Sequence, residues 1–97
     1  MVRFLPEAYE DLAKLDAVHA ALGGKAPYPS DAILNKVELL ATFPLMGPIH
    51  PDPFLAQRGF RKISADRRVA TYRVDDDIPT VYRVFHQRSA QQNGTIG

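Results

Sequence analysis

Ninety-seven residues, 45% apolar and 24% charged, allow one hydrophobic core and exclude both a disordered chain and a two-domain protein. With no cysteine there are no disulfides, thiolate metal sites or thiol nucleophile; the densest apolar stretch, residues 39–46, carries Pro44 and is far shorter than the roughly 20 residues of a membrane span. The net charge of +1 hides an asymmetry: residues 1–57 hold 4 Lys/Arg against 7 Asp/Glu, and residues 58–97 hold 8 against 4.

Residues 2–5 read as a brief first strand. No secretory signal is read there, because Pro6, Glu7, Glu10 and Asp11 follow at once, and a cytoplasmic location is expected. Pro6 suits a first helical turn, and the acidic residues after it suit the positive helix end. Ala8, Leu12, Leu15, His19 and Leu22, with Val18 alongside, then predict an amphipathic helix closed by Gly23 and Gly24. A second helix is predicted from an N-cap at Ser30, with Ile33, Leu34, Val37, Leu40 and Ala41 as its apolar face and Pro44 as its stop. Residues 45–57 hold Pro48, Pro51 and Pro53 and read as a loop.

The remainder reads as β: strands over 60–63, 69–74 and 80–86, with turns at Asp66–Arg67 and Asp75–Asp77. The three form an antiparallel meander. Tyr72-Arg73-Val74 and Tyr82-Arg83-Val84 repeat one triplet. If Tyr and Val of both face the helices, paired residue numbers sum to an even value and both arginines emerge on the other side. The expected fold is a single α+β domain, β-α-α-β-β-β, over residues 1–88, followed by a polar tail over 89–97 that frays. Seven of the eight cations after residue 57 are arginine, whose planar fork matches phosphate and carboxylate groups. A basic sheet face meeting a nucleic acid or an acidic protein segment is the expected outcome.

Element order and several fragments resemble the RelE/ParE superfamily of toxins from type II toxin–antitoxin systems. The fragments are the opening FLPEAYEDLAKL, the helix end LLATFPLMG, GFRKI at residues 59–63 and the hairpin RRVATYRVDDDIPTVYRVFHQR. The close, YRVFHQRSA, looks like the ParE-like, plasmid-stabilising branch, whose last strand often ends in a His-x-Arg element. RelE-like enzymes commonly add a tyrosine after the last strand and a basic residue three before the middle-strand aromatic; here no tyrosine follows Tyr82, and Val69 holds that position.

The resemblance implies a toxin that binds DNA gyrase and blocks replication. It also implies a cognate antitoxin that neutralises the toxin in a dimer or heterotetramer. Lys62, Arg67, Arg73, Arg83 and Phe85 are the expected surface for target or antitoxin, the antitoxin adding an extended acidic strand to a sheet edge. Two alternatives stand beside it: a RelE-like, ribosome-dependent mRNA endonuclease, and a degenerate toxin that only binds antitoxin. Cleavage through the ribose 2′-hydroxyl needs a proton carrier and cations around the phosphorane, roles open to His86 with Arg61, Arg68 and Arg88. His50 lies where some RelE-like enzymes place a loop histidine, with Asp52 near enough in sequence to orient its ring. His19 reads as a packed helix residue. Three scattered histidines make no metal site, and no cofactor is expected.

Overall fold

The computed structural model describes residues 1–87 and shows the expected α+β order. Strand β1 (Arg3–Phe4) leads into helix α1 (Pro6–Ala21) and helix α2 (Pro29–Glu38), which a 3₁₀ turn over Leu39–Ala41 continues. A one-turn helix α3 (Pro53–Gln57) precedes strands β2 (Arg61–Ala65), β3 (Arg68–Asp75) and β4 (Ile78–His86). The sheet order is β1-β4-β3-β2, with the last three strands in the expected antiparallel meander and β1 parallel to β4, Arg3 opposite Thr80. The tail over 89–97 and Arg88 lie outside the described residues. Among the described residues no helix is long and apolar enough to cross a membrane.

Pro6 opens α1 and Gly23, at φ 83°, follows its end, as the sequence predicts. Ala8 and Leu12 are buried on the inner stripe, and Asp11 is buried beside them. The stripe does not run the whole helix. Val18 is 58% and Leu22 83% exposed, whereas Ala8 and Leu12 lie in the core with Leu15 packed against it.

Helix α2 is capped two residues earlier than the expected Ser30. Tyr28 is the N-cap and Pro29 the first helical residue, and the Tyr28 backbone N–H donates to the Asp31 carboxylate at 2.9 Å. Ser30 ties the helices together instead, its N–H (3.0 Å) and hydroxyl (2.7 Å) both donating to Asp16 of α1. His19 closes the same connection, with Nε2 2.9 Å from the Lys25 carbonyl and its ring edge on Tyr28. The residue order also placed a loop over 45–57, but Asp52 caps α3 by accepting the Phe54 N–H at 2.8 Å, and Pro53 fills its first position.

The core lies between the helices and one sheet face: Ala8, Leu12, Ile33, Val37 and Leu40 meet Ile63, Ala70, Tyr72, Val81 and Val84. Each large aliphatic side chain so buried stabilises the fold by about 1.5–3 kcal/mol. Tyr72 is fully buried and staples the long loop to this core, donating to the Pro44 carbonyl at 2.9 Å and accepting the Gly47 N–H at 3.0 Å. Both hairpin turns are two-residue turns with positive φ, Asp66 and Arg67 in one, Asp76 and Asp77 in the other.

The register departs from the even-sum expectation. Arg68 pairs with His86 and Thr71 with Arg83, but Tyr72 pairs with Val81, so β4 carries one extra residue at Tyr82. This bulge keeps Val81 and Val84 in the core while turning Tyr82 to the other face. The two triplets are therefore not equivalent: Tyr72 is a core residue and Tyr82 is not.

Candidate functional site

The face of the meander away from the helices carries Lys62 and Ser64 from β2, Val69, Thr71 and Arg73 from β3, and Arg83 and Phe85 from β4, by strict alternation from the core residues. The bulged Tyr82 joins them. Helix α3 and the loop before it close one side, so that His50, Leu55, Phe60, Thr71, Tyr82, Arg83 and Phe85 line a mainly apolar groove of about 510 Å³. Four of the five residues expected to meet a partner, Lys62, Arg73, Arg83 and Phe85, thus share this face, with Arg67 at the β2–β3 turn. Leu55, Phe60 and Thr71 are groove residues that sequence reasoning did not single out, and Tyr82 is one it turned toward the helices. Gly59, at a positive φ of 84°, carries the chain from α3 into β2 just before Phe60, which meets Tyr82 edge to face.

A closed network stiffens one end of the groove. Phe60 and Tyr82 meet edge to face with centroids 4.8 Å apart, and the Arg73 guanidinium lies 4.8 Å from the Phe60 centroid. Arg73 donates from Nε to Asp75 at 2.6 Å and from Nη2 to the Tyr82 hydroxyl at 2.8 Å, while that hydroxyl donates to Asp75 at 2.6 Å. Burial alone would raise the Asp75 carboxyl, but the bonds from Tyr82 and Arg73 hold it below the ordinary carboxylate value. Burial and the hydrogen bond to Asp75 push the Tyr82 phenol up, so it stays a neutral donor.

Arg83 does not stand beside Arg73 as an open pair. It reaches round the β4 edge to Asp11, with Nε and Nη2 at 2.7 and 3.0 Å from the two carboxylate oxygens. The fork-to-fork geometry holds a guanidinium that is still 61% exposed, at the groove rim.

His50 forms part of the groove wall. Its Nδ1 accepts the Asp52 backbone N–H at 3.1 Å, and the Asp52 carboxylate is turned away to cap α3. The main chain of Asp52, not its carboxylate, orients the ring. Burial holds the imidazole below its ordinary value, with Lys62 adding to the effect and Asp52 opposing it.

The residues expected of a nuclease do not all converge. Arg68 and His86 are directly opposed across β3 and β4, and the Arg68 Nε is buried with no hydrogen-bond partner among the described residues. Arg68 otherwise bonds Asp66 through Nη1. Arg61 is four positions before Ala65, the residue opposite Arg68, a separation of roughly 13 Å along the strand. Its guanidinium is spent on the carbonyls of Gly47 (2.8 Å) and Leu45 (3.3 Å). Arg88 lies outside the described residues. Among those residues no group of three or more His, Cys, Asp or Glu is placed to hold a metal.

Comparison with known proteins follows the same line. Among solved structures, the chromosomal ParDE toxin–antitoxin system from P. aeruginosa superposes with a TM-score of 0.70 at 18% identity, over 88% of this chain and 92% of that one. The fold is therefore that of a ParE-like α+β protein. The family model described as "ParE toxin of type II toxin-antitoxin system, parDE" matches residues 2–91, and the chain belongs to that family of toxins. The superfamily resemblance read from the fragments is borne out, and membership in a paired system implies an antitoxin as partner. No curated protein matches.

Proposed function

We propose that this ParE-type toxin acts by protein binding through the groove behind the sheet, inhibiting DNA gyrase when free and silenced when its cognate antitoxin occupies the same face. The observation that carries the reading is the groove itself. Phe60, Tyr82, Phe85 and Leu55 supply an apolar floor, and Lys62, Arg73 and Arg83 supply cations around it. Aromatic and arginine side chains on rigid elements are the residue types that dominate protein–protein affinity. The separation of Arg61 from His86 and Arg68 favours binding over phosphodiester chemistry. Gyrase, rather than the ribosome, is supported by membership in the ParE branch.

The test is a supercoiling assay with purified gyrase. The chain is expected to inhibit supercoiling, and the antitoxin encoded beside it to restore activity. Unimpaired supercoiling, together with new codon-phased mRNA ends on induced expression, would replace this reading with the nuclease one.

A further inference from the structure

A second concavity, of about 340 Å³, adjoins the groove: it shares Phe60 with it and takes Arg73, whose network closes the groove's end, into its own lining. Leu45, Ile49 and Val74 contribute apolar walls, and Arg58, Arg61 and Arg73 contribute guanidinium groups. All three arginines are already held in place. Arg58 lies 3.6 Å above the Phe54 ring and donates to the Phe54 carbonyl at 3.0 Å; Arg61 is on the Gly47 and Leu45 carbonyls; Arg73 is on Asp75. A ligand therefore meets cations whose side-chain freedom is already lost, which lowers the entropic cost of binding.

The charge is also unbalanced. Arg73 has a carboxylate partner, whereas Arg58 and Arg61 bond only main-chain carbonyls among the described residues. Two positive charges without a carboxylate partner among the described residues thus flank a cleft whose lining is half apolar and half polar. A nucleic acid backbone would need cations spread along an open track, and apolar walls contribute nothing to a phosphate. An aliphatic side chain next to a carboxylate satisfies both halves.

We infer that this cleft docks an extended acidic segment of a partner protein, seating one aliphatic side chain among Leu45, Ile49 and Val74 and the neighbouring carboxylate on Arg58 and Arg61. The inference does not depend on which protein the groove binds.

The probe is an acetylated, amidated hexapeptide of alternating leucine and glutamate, titrated into the full chain and followed by heteronuclear NMR. Saturating shifts are expected at the Ile49 and Gly59 amides and at the Arg58 and Arg61 Nε–Hε groups. The glutamine counterpart should bind about tenfold more weakly, the scale of lost charge-assisted hydrogen bonds. Arg58→Ala, at an exposed position, should weaken the glutamate peptide by about fivefold, the upper range for one exposed ion pair. Equal binding of the two peptides, shifts centred on Tyr82 and Phe85, or no saturation would each overturn the inference. So would a short single-stranded RNA that displaced the peptide from the same resonances at lower concentration.

Discussion

Asp11 of α1 accepts the Val84 backbone N–H at 2.9 Å, across 73 positions of sequence, with the same carboxylate oxygen 2.7 Å from Arg83 Nε. The reason lies in the shortness of β1. Its pairing with β4 covers Arg3–Phe4, the Leu5 N–H adds one more bond to the Val81 carbonyl at 3.0 Å, and the chain then turns into α1. Asp11 supplies the acceptor that a longer strand would have offered the edge. A buried N–H left without a partner would cost as much as a lost hydrogen bond.

Asp11→Ala should therefore destabilise the protein by about 2–3 kcal/mol, since it orphans the Val84 N–H and releases Arg83 together. Asp11→Asn keeps an acceptor and should cost less. Urea unfolding of both variants checks the order; an alanine variant as stable as the parent would refute the role.

The same contact sets an acid limit. Burial would raise the Asp11 carboxyl, but the bonds from Arg83 and the Val84 N–H, with the Arg83 charge, hold it below its ordinary value; Asp75 is lowered likewise. Groups with depressed native pKa stabilise the fold fully above their unfolded value, near pH 4, and lose that contribution as pH falls through the native one. Urea midpoints should thus hold steady from neutral pH down to about pH 5 as far as these two groups are concerned, then fall. The fall should be shallower in Asp11→Asn.

Tyr72→Phe should cost about 1–3 kcal/mol, because the Gly47 N–H and the Pro44 carbonyl lose a shared buried partner. Gly47→Ala should be worse still, since a Cβ there would collide with the Lys62 carbonyl and the Tyr72 ring. Limited proteolysis is expected to cut within residues 44–50 in either variant and not in the parent.

Asp77 holds φ 65° in the β3–β4 turn, a conformation that penalises any side chain. Asp77→Gly should raise stability by about 0.5–1 kcal/mol, giving the Asp-Gly pair such turns favour. A lower thermal midpoint would contradict this.

Phe85→Asp combined with Lys62→Glu removes an aromatic anchor and a cation from the face the antitoxin is proposed to occupy, and puts two carboxylates there. Antitoxin affinity should drop by at least about tenfold, with the urea midpoint little changed. Calorimetric titration against the antitoxin provides the measurement, and unchanged affinity would move the docking site elsewhere.

Features written in local chemistry were legible from the residue order. Pro6 and Gly23 bracket α1, alternating apolar residues mark β3 and β4, and the Asp66–Arg67 turn lies where expected. Asp52-Pro53 carried an equally local signal for α3, obscured by Pro48 and Pro51 just before it, which read as loop. The Tyr82 bulge was not legible, because the repeated Tyr-Arg-Val triplet supports an unbroken register and only the core's demand for both Val81 and Val84 breaks it. Asp11 read as an acidic residue suited to a helix start; its burial is decided by an edge 73 positions away. Arg61 read as a phosphate cradle, yet it is bound to carbonyls of a loop whose path no short window reveals. For the groove, four of the five expected partner-facing residues share the sheet face, but its aromatic floor emerges only once α3 and the bulge are in place.

The flanks of the sheet are already taken. Residues 48–50 bond the start of β2 through the Pro48 carbonyl and the His50 N–H, while β1 and Asp11 occupy β4 from Thr80 to Val84. Main-chain pairing, which is blind to sequence, has little purchase along these stretches, so discrimination between true and false partners falls to side chains. A handful of substitutions could then rewire the pairing without disturbing the scaffold beneath.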